Sequence, residues 1–409
     1  MKSKKAIVFI FITILVDVIG LGIIIPVFPS LIQELTGSDL SEASAYGGLL
    51  LISFALMQFV FSPILGELSD KYGRRPVLLI ALFGLGVDYL IHAFAPTIWW
   101  LFVGRLLAGG MGASFTVANA YMADISAPED KAKNFGMLGA AFGLGFIIGP
   151  SIGGVFGAMD VRLPFFIAAG LTLANFLFGY FVLPESLAPE NRRSVILRKM
   201  IPGVSLAHLG RYKGLGLLVI AFFFAHIAGQ SLPAVWTFFT MENYSWNEAE
   251  VGYSLSFIGV LIAVVQGGLT GRVVSRFGQH KTIIFGFILW TFGMLLFAFA
   301  STSLMIYLFM IPYCLGGVAS PTLQGLISNQ VSEKEQGNLQ GALTSMVSIT
   351  TIIGPAIATF LFYRFTGDNA IIYLPGAPFV SGGLLLGLST ILAFYALRNI
   401  ITDSDPLAT

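Results

Sequence analysis

The stretch GELSDKYGRRPVLL, Gly66 to Leu79, lies between two long apolar segments and concentrates two acids and three bases in ten residues. The whole chain of 409 residues is only 11% charged and 56% hydrophobic, with a mean hydropathy of +0.85. A soluble domain carries about a quarter charged residues. Charge packed between oily runs, with two glycines and a proline, reads as an aqueous turn joining two membrane helices. Shifted by 205 residues, GELSDKYGRR lands on GRVVSRFGQH, so that Gly66 meets Gly271 and Gly73 meets Gly278. The same shift lays IIGPSI, with Gly149 and Pro150, on IIGPAI, with Gly354 and Pro355. Two motifs sharing one offset point to an internal duplication.

Outward from this stretch, twelve apolar runs are long enough to cross a bilayer as helices, which takes roughly 20 residues each. They fall near 6–29, 45–65, 77–95, 98–122, 135–158, 163–183, 214–240, 249–270, 282–300, 302–328, 337–362 and 377–398. The first follows MKSKK and could pass for a signal peptide, but it is too long and contains Asp17, so it reads as a retained helix. With the amino terminus inside, 19 of the 22 Lys and Arg residues fall in inner loops or the tail. The positive-inside rule then predicts both termini in the cytoplasm. A net charge of +1 gives no sign of a nucleic-acid partner, and Cys314, the single cysteine, excludes an intrachain disulfide. No Cys/His cluster has metal-ligand spacing, so neither metal nor cofactor is expected.

The longest connection, 184–213, carries PESLAPENRRSVILRKM and separates two sets of six helices. The expected organisation is an amino-terminal six-helix bundle over 1–183, a cytoplasmic linker over 184–213 and a carboxy-terminal bundle over 214–409. This all-α membrane architecture, two pseudo-symmetric halves in one orientation, resembles the major facilitator transporters. The opening stretch resembles their signature loop between helices 2 and 3, G-x-x-x-D-x-x-G-R-R. In that reading Gly66 permits close helix contact, Gly73 makes a tight turn, and Asp70 accepts from Arg74 or from backbone amides. Arg75 completes the motif, and the resemblance adds Asp124, in YMADISAPEDK, as a further partner. Such a cluster is expected to latch the cytoplasmic side in one state and break in the other. Topogenesis alone would account for the arginines, though not for the acids or the glycine spacing.

A second motif, GFIIGPSIGG, resembles that of the superfamily's exporting antiporters and comprises Gly145, Gly149, Pro150, Gly153 and Gly154. Small residues at this spacing let helices approach backbone to backbone, and the proline bends the helix. The embedded G-P-S-I-G has the outline of a hydrolase nucleophile elbow, but no strand precedes it and no His/Asp pair suits it.

Charges inside the membrane cost about 2.5–3.5 kcal/mol on insertion scales and normally face a cavity or a partner. Asp17 and Asp88 each lie 11 residues into their spans, roughly 16 Å deep, and Arg105 lies roughly 10 Å in from the other side. All three are expected in one layer near the midplane. A carboxyl moved in and out of such surroundings loads and releases a proton; the competing reading is a fixed ion pair holding helices together. His92, one turn from Asp88, either bonds that acid or is solvated near the surface. His226 is a candidate pore residue.

VDVIGLGIIIPVFP, GVDYLIHAFAP, GRLLAGGMGAS, GQSLPAVW and SPTLQGLISNQVSEKEQGNLQGAL resemble the bacterial tetracycline-resistance efflux proteins over nearly the full chain. The resemblance implies a drug/proton antiporter in the bacterial inner membrane, exchanging a metal–tetracycline cation for a proton, with Asp17, Asp88 and Arg105 in coupling or structural roles. One departure stands out: Ile262 and Trp290 occupy the positions where that family carries a His in helix 8 and an Asp in helix 9. Without a carboxylate there, an uncharged or amphipathic cargo is expected beside tetracycline, with coupling confined to the amino-terminal half. Gln58, Asn119, Gln230, Trp236, Trp290, Gln266 and Gln324 are candidate substrate contacts, although amides in spans often only bond a neighbouring helix. No phosphate-binding G-x-x-x-x-G-K-[ST] loop is present, so the proton gradient is the expected energy source. A membrane enzyme lacks any clustered nucleophile, base or metal site; a lipid or metabolite flippase on the same fold is the rival reading. The expected partners are the bilayer, a small lipophilic substrate and protons, for a monomer.

Overall fold

The computed structural model describes residues 2–112, 114–127, 130–195, 200–203, 215–331 and 335–404. Of the connection expected over 184–213, residues 196–199 and 204–213 therefore lie outside the described residues. All regular structure among the described residues is helical, and twelve helical spans are long and apolar enough to cross a membrane. Helices suit such sequences because each backbone N–H and C=O finds its partner within the segment, which a bilayer interior requires.

The first six spans are α1 (Lys2–Ile24), α3 (Leu40–Tyr72), α4 (Arg74–Ala93), α5 with α6 (Ile98–Met111, Ser114–Ile125), α7 (Lys131–Gly157) and α8 (Leu163–Val182). A short α2 (Phe28–Thr36) follows α1. The second six are α9 with α10 (Gly216–Gly229, Ser231–Tyr244), α11 with α12 (Glu248–Val264, Thr270–Phe277), α13 (Gln279–Ala298), α14 with α15 (Ser303–Gly316, Ala319–Asn329), α16 (Gln336–Thr366) and α17 (Ala377–Ser404).

Several boundaries differ from those read in the sequence, each for a local reason. The opening stretch is not a loop: α3 stays helical through Tyr72, and Gly73 alone makes the turn. The first span ends at Ile24 rather than near residue 29, because Pro26 lacks an amide hydrogen and disfavours helix at Ile25. Four spans are interrupted, at Gly112, Gln230, 265–269 and Gly317–Val318. Glycines cluster at these places and weaken the helix. At Val265–Leu269, sequence VQGGL, the helix widens to π geometry, a feature often met at functional sites.

The chain forms two compact units, one of Met1–Pro202 with Trp246–Gly259, the other of Gly203–Ser245 with Val260–Thr409. In the first, Phe9, Ile10, Ile14, Leu78, Leu82, Tyr121 and Met122 are buried together. In the second, Trp236, Phe239, Phe297 and Phe379 form an aromatic core with ring centroids 5.0–6.4 Å apart. The duplication is visible in the backbone. Gly73 (φ 106°, ψ 158°) and Gly278 (φ 77°, ψ 163°) share a conformation essentially reserved for glycine.

Candidate functional site

The turn at Gly73 gathers one cluster of charges. Arg74 Nη1 lies 2.5 Å from Asp70 Oδ1 and donates to Ser69 Oγ at 2.6 Å, while its Nε reaches Asp124 Oδ2 at 3.1 Å. Arg193, in the connection after α8, binds Asp70 Oδ2 and lies 3.3 Å from Glu67 Oε1. Glu185 closes the group. Its carboxylate accepts from the Arg74 and Arg75 amides at 2.8 and 3.3 Å, at the amino-terminal end of α4 where a negative charge is favoured. A Cβ on Gly73 would run into that carboxylate. Glu185 and Arg193 escaped the sequence reading because only the fold returns residues after helix 6 to the turn after helix 2. Arg75, which completes the motif, turns its guanidinium away from the acids. Adjacent helical residues point about 100° apart, and its guanidinium donates instead to Tyr180 O at 2.6 Å and lies over the Tyr180 ring. Gly66 makes no close helix contact either, since a Cβ there would meet nothing within 4 Å.

The intramembrane charges separate into two unlike sites. Asp88 Oδ2 pairs with Arg105 Nη2 at 2.8 Å, and both side chains are buried. His92 completes this site: its Nδ1 stands 2.9 Å from both Asp88 O and Asp88 Oδ1, and its Nε2 accepts from Arg105 Nε at 3.2 Å. With no exposed surface, His92 is not the solvated residue that the sequence left open. Arg105 approaches only because its neighbour is Gly104, where a Cβ would collide with His92 and stand 2.6 Å from Asp88 Oδ1. Asp17 belongs to a different environment. Its Oδ2 accepts from Ser114 Oγ at 2.8 Å, and its buried Oδ1 has no hydrogen-bond partner among the described residues. Tyr89 stands between the two acids, next to Asp88 in sequence and with its hydroxyl against Gly20, one turn from Asp17.

These groups share a layer, but not at mid-helix. Asp17, Asp88 and Arg105 lie only seven, five and seven residues from the helix ends at Ile24, Ala93 and Ile98, or about 8–10 Å by helical rise. The displacement arises because α1 and α4 both begin and end earlier than their apolar runs, at Lys2 and Ile24 and at Arg74 and Ala93.

The glycine motif in α7 serves two faces. Cβ atoms at Gly145 and Gly149 would stand 2.8 Å from Val18 Cβ and 2.7 Å from Ile19 O, and one at Gly153 would strike Ile23 O. This stripe at intervals of four seats α1, including the turn that bears Asp17. Gly154 faces the start of α11, where its Cβ would strike Glu248 O and stand 3.0 Å from Gly252 Cα, and a Cβ on Gly252 would strike Pro150 O. Ser151 and Ser256 hydroxyls, 2.7 Å apart, add a polar contact on the same face.

Each amide and aromatic candidate has local surroundings within its own unit. Trp236 is fully buried in the aromatic core and offers no surface to a substrate. Asn119 donates to Phe115 O of its own helix at 2.9 Å. Gln58 points to Gly112 O at 3.5 Å, across the break between α5 and α6. Gln324 donates to Gln340 Oε1 at 3.1 Å, joining α15 to α16, and the Gln230 stem packs against Gly354. Trp290 stacks edgewise on Tyr313 at 6.2 Å. His226 Nδ1 bonds Phe222 O at 2.8 Å. Gln266 is exposed in the π segment. Among the described residues, no group of three metal-ligating side chains is found.

The sequence profile of the major facilitator superfamily matches this chain over residues 10–270 and again over 217–407. The chain belongs to the major facilitator superfamily. Superfamily members similar to it include the class C and class B tetracycline resistance proteins of Escherichia coli. The first is 40% identical across 92% of this chain and 95% of its own length, the second 38% identical across 85% and 86%. Multidrug resistance protein 2 of Bacillus subtilis is 27% identical over 97% of both chains. The superfamily fold is seen directly in a bacterial homolog of the human lysosomal transporter Spinster, with TM-score 0.79, 16% identity and coverage of 100% and 99%. A nucleoside transporter superposes at TM-score 0.69 with 16% identity, over 98% and 99%. The chain is thus a multi-pass membrane transporter of the superfamily, similar to its drug-resistance members.

Proposed function

We propose that this chain exports a lipophilic drug, tetracycline-like or otherwise amphipathic, in exchange for protons by alternating access. The observation that carries the reading is the contrast between the two acids. Asp88 is held by a cation, whereas among the described residues Asp17 has only a hydroxyl partner and an unpartnered buried oxygen. A buried carboxylate lacking a cation is costly, so Asp17 is the group that takes up and releases the exchanged proton. Asp88 and Arg105 hold α4 to α5. The Asp70–Arg74–Asp124 cluster is the element that opens and closes the cytoplasmic end. High identity to tetracycline resistance proteins along nearly the whole chain supports drug export over lipid flipping. Ile262 and Trp290 leave the second unit without the acid that a metal-chelated cation would seek, which favours an uncharged or amphipathic cargo.

The energy source is the proton gradient, each charge crossing 100 mV being worth about 2.3 kcal/mol. The loop charges set both termini in the cytoplasm, in a bacterial inner membrane, and the working unit is a monomer without a bound cofactor. The test is a panel of antibiotic and dye susceptibilities in an efflux-deficient host, native chain against Asp17→Asn. Resistance to at least one lipophilic compound is expected and is lost in the variant. Equal resistance in both strains removes Asp17 from the coupling role.

A further inference from the structure

His92 is the buried titratable group that the proposed exchange leaves without a task. Its hydrogen bonds fix its protonation. Arg105 Nε can only donate, so His92 Nε2 must accept; Asp88 O can only accept, so the ring proton belongs on Nδ1. The ring cannot turn away, because it lies parallel to Phe165 at 5.5 Å with an interplanar angle of 12°, and Gly104 backs it on the other side. The charged groups that face it are Asp88 from its own α4 and Arg105 from α5. The elements α2 and α8 cover it with the uncharged rings of Phe28 and Phe165. Arg162, before α8, is engaged by Ala93 O and Ala95 O at the end of α4 and by Glu34 of α2.

We propose that His92 is a proton-operated positioning residue: with Nε2 bare it fastens Arg105 to Asp88, and a proton on Nε2 detaches the Arg105 Nε. The inference rests on the proton-exchange reading. The proton comes from water, forming one N–H bond as a hydronium loses one O–H bond. An acceptor becomes a donor facing another donor, the His92–Arg105 bond is lost, and the Asp88–His92–Arg105 set passes from no net charge to one positive charge. His92 is one residue from the end of α4, so the proton arrives from that end of the bundle. Under the proposed topology that is the outer face, from which the exchanged protons enter.

The chain has four histidines. A full-length chain carrying H208Q, H226Q and H280Q, labelled with ¹⁵N-histidine and ¹⁵N-arginine in lipid nanodiscs, therefore gives a histidine signal from His92 alone, and comparison with Arg105→Lys assigns the Arg105 Nε. As the pH is lowered in steps, Nε2 is expected to pass from acceptor to N–H while the Arg105 Nε resonance moves with it. A ring that stays neutral throughout, or an Arg105 signal indifferent to it, overturns the proposal. Tetracycline uptake into proteoliposomes at fixed pH difference and varied absolute pH supplies the second readout. Native protein is expected to show an inflection at the pH where the His92 resonance changes. His92→Gln, a neutral acceptor at every pH, loses the inflection and lowers transport less than His92→Phe does. His92→Phe keeps the ring stack but lowers transport roughly tenfold, since a hydrogen bond to a charged group is gone. An unchanged inflection in His92→Gln overturns the proposal. Absence of tetracycline transport by the native chain would instead exclude tetracycline as its cargo, and the resonance titration would still decide for or against His92.

Discussion

At Gly73 the backbone occupies a region that costs a side chain about 1–3 kcal/mol, and the Glu185 carboxylate fills the space where a Cβ would go. Gly73→Ala is therefore expected to lower the thermal midpoint in detergent more than Glu185→Gln, which removes only the charge at the start of α4, worth about 0.3–1 kcal/mol. Equal losses in a thermal scan would show that the turn conformation contributes little. The same reasoning reaches Gly104, where no positive φ is involved. A methyl there meets His92 and Asp88, so Gly104→Ala is expected to part Arg105 from Asp88 and impair transport. The sequence made the Gly73 turn legible because glycine spacing and acids recur in a known pattern. It left Gly104 mute, since a glycine before an arginine carries no mark of the histidine it admits.

At the scale of an element, the seam between α1 and α7 depends on which glycines face the neighbour. A Cβ at Gly149 would stand 2.7 Å from Ile19 O and 2.9 Å from Gly22 Cα, yet one at Gly143 would meet nothing within 4 Å. Gly143→Ala is expected to be neutral or to stabilise by up to about 1 kcal/mol, the ordinary helix-propensity gain. Gly149→Ala is expected to destabilise and to abolish export by displacing the turn that bears Asp17. Thermal midpoints of the two variants, together with drug susceptibility, check the contrast. The repeat does not preserve this seam. Gly354, the counterpart of Gly149, packs against the Gln230 stem and Ile227 O, so a side chain lies where the first unit brings two glycines together.

Across the whole molecule, the duplicated halves have diverged in polarity at matching positions. An offset of 205 residues carries Asp88, His92 and Arg105 onto Gly293, Phe297 and Met310. The ionic set of one unit is thus replaced in the other by apolar packing, with Phe297 against Trp236, Phe379 and Tyr313. Trp236→Ala is expected to cost about 3–5 kcal/mol, as for other buried large residues, and to reduce the amount of folded protein without altering drug preference. Trp290→Ala, at a half-buried ring, is expected to change the ranking of drugs at smaller cost in stability. A susceptibility panel normalised to membrane protein content distinguishes the two. The sequence by itself determined the membrane class, the twelve spans, the duplication and the acids, because hydropathy and charge act along the chain without regard to folding. Only the tertiary structure decided that, among the described residues, Asp88 has a cation while Asp17 has none, that His92 belongs to the ion pair, and that Trp236 is core. Those distinctions depend on which helix faces meet, and that contact geometry joins residues far apart in the chain.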